Sequence, residues 1–286
     1  MTDLARLLTL LDIETIDTDL YRGQTSVGER QRVYGGQVAA QALVAAGRTV
    51  CEDRYVHSLH AYFMRPGDPT IPIVYDVDRL RDGRSFTTRR VRARQRGKAI
   101  FTLEASFQVI EQGGLTHQPT PPDAPDPDTL PSMSTLAQEA DGSTGGWGEI
   151  HALDFRMQPP SPEEPGAPTQ YWFRASGTVP DQPLTHAAIM TYASDFTLLS
   201  NVLSTHGRWF GDPQLMVASL DHAMWFHEPK PNTQHWMLYE TTSPAAGGSR
   251  GLGFGRIYDR DGTLLVSTAQ EGLARLIDPA ASTEAL

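Results

Sequence analysis

The sequence predicts an α+β protein made by tandem duplication of one unit, a long buried helix followed by antiparallel strands. Three observations carry this. The segment 35–50 (GGQVAAQALVAAGRTV) is a small-residue helix, apolar on most faces, and such a helix has to be buried. A second helix rich in Ala, Leu and Met, 183–205 (PLTHAAIMTYASDFTLLSNVLST), opens the second half. The halves also repeat in detail: 58–66 (SLHAYFMRP) lies over 221–229 (DHAMWFHEP) at an offset of 163, and 97–103 (GKAIFTL) over 262–268 (GTLLVST) at an offset of 165.

In the first half, strands are predicted at 56–65, 71–80, 85–96 and 98–110, with turns at Arg81-Asp82-Gly83 and Arg96-Gly97. The third strand puts Phe86, Thr88, Arg90, Arg92 and Arg94 on one side, so that face is strongly basic. In the second half, strands are predicted at 215–227, 235–242, 250–259 and 263–277. Of 21 prolines, 11 fall between Pro119 and Pro168, where neither a helix nor a central strand can continue. The glycine-rich 142–148 (GSTGGWG) reads as loop for the opposite reason, backbone permissiveness. Residues 111–168 therefore read as a surface linker between an N-terminal unit, 1–110, and a C-terminal unit, 169–286.

The chain has 286 residues and a net charge of −10, with no long basic run, which argues against nucleic acid or an anionic membrane as partner. No apolar run approaches the ~20 residues of a membrane-spanning helix. The first residues lack the basic and apolar regions of a secretory signal, so a cytoplasmic protein is expected. The single cysteine, Cys51, excludes an intrachain disulfide and reads as a small core residue. There is no GxSxG, HExxH or Walker A motif. Gly251-Leu-Gly-Phe-Gly255 opens a strand rather than a helix, which excludes a dinucleotide site, and 123–128 (DAPDPD) lacks the glycine and closing glutamate of a calcium loop. No metal and no cofactor are expected.

Four places can carry chemistry. Asp195 is a carboxylate in an otherwise apolar helix; it needs hydrogen bonds there, and serves either as a general base or as a cap at a helix kink. Gly36 and Gln37, after Gly35, open the first helix, where free N–H groups and the positive dipole end suit an oxyanion; a plain glycine turn is the competing reading. Ser219, Asp221, Ala223 and Trp225 share a face if 215–227 is one strand, while His222 and His227 face opposite ways and read as ordinary polar groups rather than a metal pair. Gln270 interrupts the apolar last strand with an amide able to orient a water.

These residues sit in a series of motifs: Tyr21-Arg-Gly-Gln24, Val33-Tyr-Gly-Gly-Gln37, Val56-His-Ser-Leu-His60, Phe63-Met-Arg-Pro-Gly-Asp68, Leu80-Arg-Asp-Gly-Arg-Ser-Phe86, Ala105-Ser-Phe107, Tyr192-Ala-Ser-Asp195, Ser219-Leu-Asp-His-Ala-Met-Trp-Phe-His227 and Ser267-Thr-Ala-Gln-Glu-Gly272. In this order, over nearly the whole chain, they resemble the type II acyl-CoA thioesterases, the TesB-like group. The resemblance implies a double hotdog, two long helices each wrapped by a curved antiparallel sheet. It implies hydrolysis of fatty acyl-CoA, with Asp195, Ser219 and Gln270 holding the attacking water; backbone N–H groups near Gly36 and Gln37, or the Gln270 amide, are then expected to meet the oxyanion. At the hydroxyl position the bacterial pattern has Thr; Ser keeps the hydroxyl and loses the χ1 stiffness of a β-branched side chain. A homodimer or homotetramer is expected. The first helix carries no acid between Gln37 and Leu43 to match Asp195, so one active site per chain is expected. A hotdog enoyl-CoA hydratase and a non-catalytic acyl-CoA-binding protein are the alternatives; no His follows Asp195 until His206 to complete a hydratase pair.

Overall fold

The computed structural model describes residues 2–26, 31–141, 150–157 and 166–277. The first unit comprises α1 (Asp3–Leu11), β1 (Glu14–Asp17), β2 (Leu20–Gly23), α2 (Gly35–Gly47), β3 (Arg54–Phe63), β4 (Ile73–Asp82), β5 (Phe86–Gln95) and β6 (Lys98–Val109). After α3 (Met133–Asp141) come β7 (Leu153–Met157), β8 (Thr169–Ala175), α4 (Pro183–Thr197) and α5 (Ser200–Ser204). The chain continues through β9 (Leu215–Ser219), β10 (Asp221–Phe226), β11 (Met237–Gly247), β12 (Arg250–Asp259) and β13 (Leu264–Leu276).

The strands form one antiparallel sheet in the order β1-β2-β4-β5-β6-β3-β10-β13-β12-β11-β8-β7, with β9 paired to β13. The order reads alike from both ends, as a duplicated unit requires. The units meet where β3 pairs with β10, Ser58↔Trp225 through Tyr62↔Asp221. The offset of 163 maps each of those two pairs onto the other. On the inner side α2 packs antiparallel to α4. The Tyr34 hydroxyl at the head of α2 donates to the Tyr192 carbonyl near the foot of α4 at 2.7 Å. At the other end Leu184 lies against Gly47. Every α2 residue from Gly36 to Ala46 is buried, and one core cluster spans both units. This is the double-hotdog α+β arrangement.

The structure differs from the sequence expectation in four places. The 111–168 segment is not all linker, because Leu153–Met157 pairs with β8 and buries Leu153 and Phe155; a five-residue alternation between proline runs is too short to stand out. Residues 142–148 and the proline run 159–165 lie outside the described residues. Cys51 is exposed, since the chain has left the core after Gly47 and is turning into β3. The helix expected at 183–205 breaks at Leu198–Leu199 into α4 and α5. Here the sheet comes unusually close: a Cβ on Gly253 would lie 2.8 Å from the Leu198 carbonyl oxygen, and one on Gly272 2.4 Å from Leu199. Gly253 of β12 and Gly272 of β13 thus make room for the end of α4, Gly251 makes room for Val202 of α5, and Gly255 lies against the Tyr239 and Thr268 side chains.

The fourth difference is a β-bulge. Residues 215–227 form two strands rather than one. Ser219 pairs with Gly272 and Ala223 with Ala269, so Leu220, Asp221 and His222 oppose only Gln270 and Glu271. The extra residue reverses the alternation. Ser219 turns inward to the helix, whereas Trp225 stays outside at 38% exposure. A bulge leaves a ladder group unpaired. Asp221 takes it up: its carboxylate accepts the Glu271 N–H at 2.6 Å, while Leu220 N–H donates to the Glu271 carbonyl.

Two histidines are sealed in the second unit. His186 Nδ1 lies 2.8 Å from Thr233 Oγ1, and His222 Nε2 lies 2.8 Å from Ser194 Oγ. Burial lowers the pKa of both and pushes that of His222 down to about 4.

Three outcomes follow for stability. Gly253→Ala drives a methyl into backbone and is expected to cost about 1–3 kcal/mol in urea unfolding. Asp221→Ala leaves the Glu271 N–H without its acceptor, for a similar loss of about 1–3 kcal/mol, whereas Asp221→Asn keeps an acceptor and most of the stability. His222 is neutral when folded, but an unfolded histidine binds a proton below about pH 6.5. Stability therefore falls on acidification from there toward pH 4, by about 1.4 kcal/mol per pH unit from this group. The unfolding free energy of His222→Asn should depend less steeply on pH between 6 and 5.

Candidate active site

A cavity of about 730 Å³ opens where α2 begins and α4 ends. Its wall includes Gly35, Val38, Phe63, Asp195, Phe196 and Ser219, with Arg32 and Arg65 exposed at the rim. Asp195 sits in the last turn of α4, half-buried. Two donors converge on its Oδ1: Gln270 Nε2 at 2.6 Å and Ser219 Oγ at 3.3 Å. These three residues come from one helix and two strands, up to 75 residues apart. The carboxylate is thereby held in one orientation, with the charge spread over polar donors.

Gln270 is fully buried and lies behind the carboxylate rather than in the cavity wall. Its place makes it a support for Asp195. Ser219 and Asp195 are the members of the group that reach the cavity.

The N-terminal turn of α2 faces the same carboxylate. A Cβ on Gly35 would fall 2.8 Å from Asp195 Oδ2, so only glycine lets the helix start this close. Gly36 is packed just as tightly on α4, where a Cβ would lie 2.5 Å from the Tyr192 carbonyl oxygen. The Gln37 side chain points away from the cavity: its amide donates to the Gln24 carbonyl at 3.1 Å and accepts from Ser26. Of this trio Gly35 is the one in the cavity wall. Within the helix the backbone bonds begin with Val38 N–H to the Tyr34 carbonyl, so the preceding N–H groups are the ones a helix start leaves over. A positive dipole end and a carboxylate therefore share one small space.

The basic face of β5 is elsewhere and already neutralised. Arg90 pairs with Glu104, Arg92 and Arg94 pair with Asp76, and buried Arg89 pairs with Asp82. Arg32 and Arg65 are different: among the described residues neither has a carboxylate partner. Each is anchored by a backbone carbonyl, Val217 for Arg32 and Ala99 for Arg65. Sequence reasoning missed both as site residues, although they stand beside Val33-Tyr-Gly-Gly-Gln37 and inside Phe63-Met-Arg-Pro-Gly-Asp68.

The mirrored end of the helix pair forms a second cavity, of about 580 Å³, lined by Gly47, Val56, Phe107 and Leu184 among others. The same bulge occurs there, between Val56↔Phe107 and Ser58↔Ser106. The offset of 163 carries Ser219 to Val56, and that of 165 carries Gln270 to Ala105. Leu184 against Gly47 mirrors Gly35 against Asp195 to within one residue, which sets the counterpart of Asp195 at Ala46 or Gly47, later in the helix than the sequence suggests. The scaffold is duplicated and the polar group is not. Among the described residues no cluster of His, Cys, Asp or Glu could hold a metal ion, and no helix is long and apolar enough to cross a membrane.

The chain is similar to known proteins in sequence and fold. The sequence pattern of the acyl-CoA thioesterase family matches residues 156–273, and that of the acyl-CoA thioesterase N-terminal domain matches residues 25–108. The chain is 42% identical to acyl-coenzyme A thioesterase 8 of Mus musculus, over 94% of this chain and 88% of that protein. It is 39% identical to acyl-CoA thioesterase 2 of Haemophilus influenzae, over 95% of this chain and 98% of that protein. The crystal structure of an acyl-CoA thioesterase II, TesB2, from Mycobacterium marinum superposes with a TM-score of 0.80 at 40% identity, covering 96% of this chain and 98% of that one. The chain belongs to the acyl-CoA thioesterase family, and its activity is hydrolysis of acyl-CoA thioesters.

Proposed function

We propose that the protein hydrolyses fatty acyl-CoA by direct attack of a water activated by Asp195. The observation that carries this is the carboxylate at the cavity wall, fixed through Oδ1 by Ser219 and Gln270 and set against the start of α2. Asp195 takes a proton from the water as its oxygen bonds to the thioester carbon. The carbonyl oxygen becomes an oxyanion, met by backbone N–H groups in the first turn of α2, at Gly35, Gly36 and Gln37. Collapse of the tetrahedral species breaks the C–S bond. The departing thiolate receives the proton from Asp195, giving CoA and a free fatty acid. Ser219 steers the water and the carboxylate, and Gln270 holds the carboxylate from behind. No covalent acyl-enzyme is formed.

The apolar wall of Val38, Phe63 and Phe196 suits the acyl chain. The carboxylate-free Arg32 and Arg65 at the rim suit the phosphates of CoA. The outer sheet face exposes Tyr62 at 61%, Phe254 at 45% and Trp225, which supports a homodimer or homotetramer.

The test is release of free thiol from acyl-CoA substrates of increasing chain length. The wild type is expected to turn over and Asp195→Asn to lose roughly 10²- to 10⁴-fold in kcat while still binding substrate. An Asp195→Asn enzyme at wild-type rate would remove Asp195 from the chemistry. Titration with a slow substrate analogue should find one catalytic site per chain, because the mirrored cavity has Ala46 or Gly47, Val56 and Ala105 where the active one has Asp195, Ser219 and Gln270.

A further inference from the structure

Behind the carboxylate lie two buried atoms, His222 Nδ1 and Gln270 Oε1, that have no hydrogen-bond partner among the described residues. They are neighbours. The register Ala223↔Ala269, continued by one residue, sets His222 across from Gln270, and both side chains are fully buried on the inner face. The Gln270 amide is close enough to offset part of the burial that depresses the imidazole. An ideal bond is not made between them, but a donor and an acceptor that lack other partners face each other in a dry site.

The protons can be placed from the outside in. An ionised Asp195 Oδ1 only accepts, so Gln270 has to present Nε2 to it, which turns Oε1 toward His222. Oε1 also only accepts and so requires an N–H. A neutral imidazole has a single N–H. Its other nitrogen, Nε2, lies 2.8 Å from Ser194 Oγ, whose hydroxyl has two competing but longer acceptors, the Thr191 carbonyl at 3.0 Å and Met224 Sδ at 3.4 Å. If Ser194 donates to Nε2, the imidazole proton sits on Nδ1 and every bond runs one way. Ser194 O–H donates to His222, His222 Nδ1–H to Gln270 Oε1, and Gln270 Nε2–H to Asp195. The opposite tautomer sets two acceptors against each other in the interior, which is expensive.

We propose that His222, as its Nδ1–H tautomer, is a positioning residue that locks the Gln270 amide so that its NH₂ end holds Asp195. The internal repeat supplies a control. The counterpart of His222 is Leu59, which pairs with Ala105, the counterpart of Gln270. Where the amide is missing, the imidazole is missing too. The low pKa of about 4 keeps the ring neutral near pH 7, with a single N–H, and the partners on either side decide which nitrogen carries it.

The proposal rests on Asp195 as the base, and the experiment separates the two. Steady-state hydrolysis of one acyl-CoA is compared for wild type, His222→Phe, His222→Asn, Gln270→Ala, the His222→Phe/Gln270→Ala double variant and Asp195→Asn. His222→Phe keeps the ring volume and loses the donor; kcat should fall roughly 5- to 150-fold with KM unchanged, the range for a buried partner left unpaired. His222→Asn puts an amide N–H near the Nδ1 position and should recover kcat to within about threefold of wild type, because the donor is restored. The double variant should match Gln270→Ala alone, since His222 acts only through Gln270. Independent multiplied losses in the double variant, or wild-type kcat in His222→Phe, overturn the proposal while leaving Asp195 as base. Wild-type kcat in Asp195→Asn overturns the base itself. Should His222→Phe not fold, ¹⁵N-histidine NMR of the unmodified protein decides. A protonated Nδ1 on His222 supports the lock, and a protonated Nε2 with bare Nδ1 refutes it.

Discussion

A carboxylate at the end of a buried helix has to be met by donors, and the second unit is shaped around that requirement. Asp195 cannot bring its own solvation with it. The sheet therefore supplies Ser219 and Gln270, and it can do so only by coming very near. Gly253 and Gly272 provide the clearance, at positions where any Cβ would strike Leu198 or Leu199. The same approach divides the helix into α4 and α5. Gly35 performs the matching service from the other helix, letting the start of α2 close over the carboxylate.

The bulge is what makes the sheet's contribution polar. A regular strand through 215–227 would place Ser219 with Trp225 on the outer face. One extra residue reverses that, and Asp221 makes the irregularity affordable by accepting the Glu271 N–H. The first unit has the bulge as well, yet fills the equivalent inner positions with Val56, Leu59 and Ala105. Duplication thus gave two similar cavities, and only one contains the groups that hold a charge. The bulge belongs to the scaffold; the activity belongs to the side chains it re-aims.

Much of this was legible in the sequence. The repeated motifs gave the duplicated unit, because the offsets of 163 and 165 reflect strand pairs that the structure places symmetrically about β3 and β10. Asp195 stood out because a lone acid in an apolar helix demands an explanation. Other features depend on tertiary contact. The glycines at 251, 253 and 255 are plain in the sequence, but what they let approach is not. The bulge is hidden because Asp221 looks like any polar strand residue until its side chain is seen to replace a ladder acceptor. His222 passed as an ordinary polar group for the same reason, since its partner lies on a strand 48 residues away. Arg32 and Arg65 are exposed arginines in a chain with many arginines; only the lack of a carboxylate beside them, next to a cavity, sets them apart.

In this site a water, rather than a side chain, is proposed to attack the thioester. Single-turnover hydrolysis of an acyl-CoA by excess enzyme in ¹⁸O-water, followed by mass spectrometry of the product and of the peptide containing Asp195, tests it most directly. Attack by water leaves one ¹⁸O in the fatty acid, none in Asp195 and no acylated peptide at any time point. Label in Asp195, or a peptide carrying the acyl group, would contradict it and make Asp195 or another side chain the nucleophile.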